Sequence, residues 1–232
     1  MCTLISPLCL ASEAVELFDK THNRLISVEL FKPVKLLDNT KLPLVIINHG
    51  YGIKNTDYLF LANNLIANGY FVMSIQHDLE GDKPLPRKGN LYERRMPLWK
   101  RGVENILFVL KELKPKYPLV DYDNITLIGH SNGGDISMLI AKQHPNLAKN
   151  IISLDSLRMP FPRSDSPRIL SLRAIDTQAD EGVLPNIEEQ KRLGINIVTL
   201  PDAKHIDFSD SGSIEIKNEV INLITKFLNG NI

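Results

Sequence analysis

The chain has 232 residues, 43% of them hydrophobic, and its 27 lysines and arginines balance its 27 aspartates and glutamates. That length and apolar content suit one large core, and the zero net charge leaves no broad field to recruit nucleic acid or an anionic membrane. The two cysteines, Cys2 and Cys9, argue against a disulfide framework or a cysteine-rich metal site.

The opening MCTLISPLCLAS is apolar but lacks basic residues and is shorter than a complete secretory signal. Residues 1–17 are therefore expected to be a packed or flexible N-terminal segment of a cytoplasmic protein, followed by a single domain over 18–232. The alternative, a truncated export signal, would place the protein in the periplasm or outside the cell. No run approaches the ~18 apolar residues that span a bilayer, so stable membrane insertion is not expected.

RLISVELF (24–31) alternates apolar and polar residues and predicts a half-exposed strand, at an edge or in an antiparallel N-terminal section. LPLVIINHG (42–50) is a continuous apolar run, the pattern of a strand buried on both faces of a parallel sheet. Helical spacing follows over 57–69, with Asp57 as expected cap and Gly69 as stop, and then a second buried strand over 70–77. Residues 80–97 are polar and broken by Pro and Gly, which predicts a long loop ahead of a helix over 98–113. Beyond it come a strand at 124–130, a helix at 132–144, strands at 150–155 and 168–174, a helix near 186–194, a strand at 196–201 and a terminal helix at 213–228. Such alternation implies right-handed crossovers and a mostly parallel sheet with helices on both faces.

In an open α/β sheet, reactive groups gather beyond the carboxyl ends of the strands. There the sequence LIGHSNGG holds Gly129-x-Ser131-x-Gly133, whose glycines permit a sharp strand-to-helix turn that lifts the serine hydroxyl above the sheet. A bare capping serine would also fit this spot. A nucleophilic serine needs a base within hydrogen-bond reach. His205 is the best of six histidines, because it lies in the short loop between the last strand and the last helix. His22 and His144 are expected at the surface, His130 pointing away from the serine, and His49 holding the loop after the first buried strand. Three carboxylates could orient the imidazole, namely Asp155, Asp176 and Asp180, and spacing alone does not choose among them. The oxyanion hole is expected from the backbone amides of Asn132 and of Tyr51 in NHGYG.

These residues resemble the α/β-hydrolase fold over roughly 18–228, and more narrowly its platelet-activating-factor acetylhydrolase and dienelactone-hydrolase-like branch. The resemblance rests on NHGYG, SIQHD, GHSNGG, SLDSLRMP and HIDFSD. It implies a mostly parallel central sheet flanked by helices, without a separate cap domain, and it favours Asp155 as the acid. Asp180 and then Asp176 are the substitutes, since ADEGVLP resembles the acid-bearing stretch of commoner hydrolases.

The function implied is a serine esterase that cleaves short acyl or acetyl esters, lipid-like ones included, through an acyl-enzyme on Ser131, His205 and Asp155. Thioesterase, peptidase or acyltransferase chemistry on the same fold is the alternative, and a non-catalytic binding protein the remoter one. Tyr92, Met96, Met159 and Phe161 are candidate pocket walls; Trp99 and Leu157 are equally well read as core. Arg94 and Arg95 are read as a solvated pair unless an anionic group meets them. No cofactor and no metal are implied, since the His-x-Asp of HIDFSD has nothing nearby to complete a ligand set. The expected partner is a small-molecule ester, not nucleic acid, and no oligomeric state follows from the sequence.

Overall fold

Strands made of unbroken apolar runs need cover on both faces, and here helices supply it. A computed structural model describes residues 12–33 and 41–232. The chain runs β1 (Ser12–Asp19), β2 (Arg24–Phe31), β3 (Leu42–Asn48), α1 (Leu59–Ala67), β4 (Phe71–Ile75), α2 (Leu91–Leu113), β5 (Val120–His130) and α3 (Asn132–Gln143). It continues with β6 (Asn150–Leu154), β7 (Arg168–Arg173), α4 (Ile187–Leu193), β8 (Asn196–Thr199) and α5 (Ile214–Leu228), with a 3-10 turn at His205–Phe208.

The eight strands form one sheet in the order β1-β2-β4-β3-β5-β6-β7-β8. β1 and β2 are antiparallel to their neighbours, and every pairing from β4 through β8 is parallel. This is the α/β-hydrolase fold. Strand side chains alternate between faces, and the core divides accordingly. Leu44 and Ile46 pack in one cluster with α2 and α3, while Val45 and Ile47 pack in another with α1 and α5. Where α2 crosses α3 the helices nearly touch, for a Cβ on Gly102 would lie 2.4 Å from a methyl carbon of Ile136. Among the described residues no helix is long and apolar enough to cross a membrane.

Several expectations need correction. Of the segment 1–17, residues 1–11 lie outside the described residues, but residues 12–17 belong to β1, which pairs along its whole length with β2. β2 is consequently an inner strand, not an edge, and of the two placements expected for it the antiparallel N-terminal section is the one observed. The loop over 80–97 is shorter than its Pro and Gly content suggested, because α2 starts at Leu91. The Asn90 side chain accepts from the amides of Tyr92 and Glu93, and this cap starts the helix despite Pro97 inside it. Asp57 is not the cap of α1; Asp210, far away in sequence, accepts from the amides of Leu59 and Phe60 at 2.8 and 2.9 Å.

Candidate active site

From β3 the chain passes to β4 on one side of the sheet, and later returns to β5 on the other. That reversal opens a crevice at the carboxyl ends of β3 and β5. The loop carrying Tyr51 leaves β3 there, and Ser131 follows β5.

Ser131 has φ 51° and ψ −115°, a conformation that costs a non-glycine residue roughly 1–3 kcal/mol. Its flanking glycines are needed for close approach. A Cβ on Gly129 would lie 2.3 Å from the Gly133 carbonyl oxygen, and one on Gly133 would lie 2.0 Å from that of Asn48. The Ser131 amide is tied to the Leu154 carbonyl at 2.8 Å. Its hydroxyl makes no capping bond to α3, so the simple role of a helix cap does not account for it.

Asp155 follows β6, the neighbour of β5. It is 0% exposed and also has a positive φ, 56°. Its Oδ2 lies 2.6 Å from His205 Nδ1 and accepts the Thr177 hydroxyl at 2.5 Å. Its Oδ1 meets Arg173 Nη2 at 2.9 Å and the Ala174 amide at 3.2 Å. Burial pushes this carboxyl up, but the bond to His205 and the charge of Arg173 outweigh it and hold Asp155 below its ordinary value. With Nδ1 donating to an ionised carboxylate, Nε2 is the nitrogen left to accept a proton. Among the described residues no hydrogen bond of 3.5 Å or less reaches Ser131 Oγ or His205 Nε2; such contacts often tighten only when substrate binds.

The other two carboxylates sit elsewhere. Asp176 accepts from the His205 backbone amide at 2.7 Å and so steadies the histidine loop. Asp180 is exposed at the start of the turn that carries Val183.

Two buried histidines brace the site. A backbone amide, that of His77, donates to His49 Nε2 at 2.7 Å, so Nδ1–H of His49 donates to the Gly50 carbonyl at 2.7 Å. His130 Nε2–H donates to the His205 carbonyl at 2.9 Å, and its Nδ1 accepts from the Tyr58 hydroxyl, which accepts from the Gly50 amide. Burial drives His130 down to about 3, so this chain from the Gly50 loop to the His205 loop stays uncharged. His22 and His144 are exposed.

Among the described residues the amides of Tyr51 and Asn132 have no hydrogen-bond partner, leaving both free to face an anion. The Asn132 side-chain oxygen accepts from Trp99 Nε1 at 2.9 Å and from Arg95 Nη1 at 3.4 Å. Of the four expected pocket residues, Met159 and Phe161 are 0% and 2% exposed and belong to the core. Tyr92 and Met96 are only partly buried, and the Tyr92 hydroxyl rests 3.9 Å from the Met159 sulfur. A cavity of about 280 Å³ opens beside Tyr51, Gly52 and Leu98. Among the described residues no group of three or more His, Cys, Asp or Glu could hold a metal ion.

Sequence reasoning missed Arg173, Thr177 and Tyr58. Arg173 carried a usable signal, a cation at the carboxyl end of the strand RILSLR, where reactive groups gather.

A family model described as serine aminopeptidase, S33 (Hydrolase_4), matches residues 40–159. A protein of Wickerhamomyces anomalus described as a probable alcohol acetyltransferase is 31% identical over a stretch covering 42% of this chain and 35% of that protein. A monoglyceride lipase homolog of Monkeypox virus is 30% identical, over 56% of this chain and 43% of the homolog. The chain thus spans less than half the length of these relatives. Among solved structures, a fungal esterase from Rhizomucor miehei superposes with a TM-score of 0.68 at 15% identity, covering 95% of this chain and 82% of the esterase. A butyrate-bound esterase of Thermogutta terrifontis gives 0.68 at 14% identity, with 94% of each chain covered. At these identities the likeness is one of fold.

Proposed function

The chain belongs to the Hydrolase_4 family, described as serine aminopeptidase, S33, and on that footing we propose that it is a serine ester hydrolase working through Ser131, His205 and Asp155. The observation that carries the reading is the 2.6 Å bond between His205 Nδ1 and the fully buried Asp155 carboxylate, beside a serine held in a strained turn. An aspartate in this position fixes the imidazole tautomer and stabilises the imidazolium that forms when the serine proton is taken.

His205 Nε2 removes the proton as Ser131 Oγ attacks the ester carbonyl. The negative charge that develops on the carbonyl oxygen is met by the amides of Asn132 and Tyr51, each worth roughly 3 kcal/mol of barrier. The tetrahedral species collapses, the imidazolium gives its proton to the departing alcohol, and Ser131 is left acylated. Water then repeats the sequence, releasing the acid and restoring the serine.

The substrates proposed are small esters with short acyl groups. Relatives described as a monoglyceride lipase homolog and as esterases support the class. The finer placement in the acetylhydrolase and dienelactone-hydrolase-like branch rests on SLDSLRMP and HIDFSD, and with it the preference for acetyl esters. The relative described as a probable alcohol acetyltransferase favours a second reading, in which an alcohol takes the place of water in the second step. Adding ethanol to a reaction with an acetyl ester and measuring ethyl acetate against acetate separates the two.

A fluorophosphonate probe tests the nucleophile. Native protein is expected to be labelled and Ser131→Ala is not; equal labelling of both would reject the assignment.

A further inference from the structure

Three arginines near the catalytic face are paired. Arg24 and Arg101 meet Asp82 and Asp78, and Arg173 meets Asp155. Arg95 and Arg158 are different, for among the described residues no carboxylate lies within 4.0 Å of either guanidinium; the Nε of each is buried without a hydrogen-bond partner, as are those of Arg24, Arg94 and Arg101. Their position is specific. Tyr92, Arg95 and Trp99 fall at helical spacing on one face of α2, and that face covers the turn after Ser131. The Arg95 guanidinium lies 5.3 Å from the centre of the Tyr51 ring, and its Nη1 is 3.4 Å from Asn132 Oδ1. It therefore bridges the two residues whose amides would form the oxyanion hole. Close by, the Asn132 Nδ2 is also buried without a partner.

This arrangement is unfavourable without a ligand. Burial lowers the pKa of Arg95, and the like charges of Arg158 and Arg94 lower it further. Among the described residues the carboxylate whose charge acts on Arg95 is Asp135, whose Oδ1 is taken by the amides of Arg158 and Met159. Half-buried guanidinium groups with vacant donors match the planar, two-oxygen face of a carboxylate or phosphate.

Resting on the hydrolase reading above, we propose that the substrate ester carries an anionic oxygen group, carboxylate or phosphate, bound by Arg95 with Arg158 beside it. Such a charge explains why two cations are held unpaired beside the scissile bond in a chain with no net charge.

Matched esters test this. 4-Acetoxybenzoate and 4-acetoxyphenyl phosphate against methyl 4-acetoxybenzoate place the charge in the alcohol half; monomethyl adipate against methyl hexanoate places it in the acyl half. The ratio of kcat/KM, charged over neutral, in native protein divided by the same ratio in Arg95→Gln cancels intrinsic reactivity. The expected quotient is about 10-fold or more in at least one pair, the scale of a charge-assisted hydrogen bond, with Arg158→Gln changing it in the same direction. A quotient near one in every pair overturns the proposal. Trp99, the single tryptophan, shares Asn132 Oδ1 with Arg95, so its fluorescence gives a readout that needs no turnover. Titration with adipate and with inorganic phosphate should show a saturable change in native protein that is lost in Arg95→Gln. If the fluorophosphonate fails to label Ser131 while anions still bind saturably, the hydrolase reading falls and the anion site stands. If Ser131 is labelled while the quotient stays near one and fluorescence is unmoved, the anion site alone falls.

Discussion

Replacing Asp135 by Asn should stabilise the protein at neutral pH and leave it nearly unchanged in acid. Asp135 lies in the first turn of α3 and is 1% exposed. Its Oδ1 accepts from the amides of Arg158 and Met159 at 3.0 and 2.9 Å, and so ties α3 to the loop after Asp155. Burial raises its pKa from 3.8 to about 6 even though both amides and two arginines favour the ionised form. A carboxyl group whose folded pKa lies above its unfolded one stabilises the fold below about 4, and that contribution is lost as pH rises through about 6. The shift of about two units corresponds to about 3 kcal/mol at pH 7.5. Asn keeps the accepting oxygen and, like the protonated acid, places a donor at the second position, so the comparison isolates the charge. Urea denaturation at pH 4, 5.5 and 7.5 is the assay. The stability gained by Asp135→Asn should grow from under about 1 to about 3 kcal/mol over that range. A gain independent of pH, or a loss that grows towards neutral pH, would show that burial does not raise the Asp135 carboxyl.

Asp155→Asn should lower kcat on 4-nitrophenyl acetate by about 10⁴-fold, since the wrong imidazole tautomer would be held. Asp176→Asn keeps an acceptor for the His205 amide and should cost less than about tenfold, the scale of one neutral hydrogen bond; a larger loss in Asp176→Asn or Asp180→Asn than in Asp155→Asn would reassign the acid. Arg173→Met leaves the Asp155 carboxylate without its buried cation and should destabilise the fold by about 3 kcal/mol; an unchanged denaturation midpoint would contradict that. Gly133→Ala drives a Cβ to 2.0 Å from the Asn48 carbonyl oxygen and should cost more than about 3 kcal/mol by overpacking, read as a lowered melting temperature or lost soluble yield, whereas an undiminished melting temperature would show that β3 and α3 can part without penalty.

What could be read from the sequence was local chemistry repeated in the right order. The apolar run Leu44–Ile47 declares a strand with two covered faces, and Gly129 and Gly133 around Ser131 declare a turn that tolerates no side chains. His205 stands out because it follows the last strand. Contacts made across the fold were not legible. Asp210 caps α1 from about 150 residues away, which no window around Asp57 could reveal. Pro97 reads as a helix breaker until the Asn90 cap is seen to start α2 before it. Asp155, Asp176 and Asp180 all follow strands, and only the sheet order, with β6 beside β5, distinguishes a carboxylate aimed at the imidazole from one that holds its backbone. Arg95 looked like a solvated cation because burial beside Tyr51 and Asn132 depends on how closely α2 crosses α3 at Gly102.

The central claim is that Ser131 becomes acylated with His205 as its base. Native protein and His205→Ala should be mixed with 4-nitrophenyl acetate, quenched in acid within the first turnover and digested, and the peptide bearing any acetyl group identified by mass spectrometry. Acetylation of Ser131 in native protein, with its appearance slowed by orders of magnitude in His205→Ala, is the predicted result. Hydrolysis by native protein with no acetyl group on Ser131, or acetylation equally fast in both proteins, would contradict the claim.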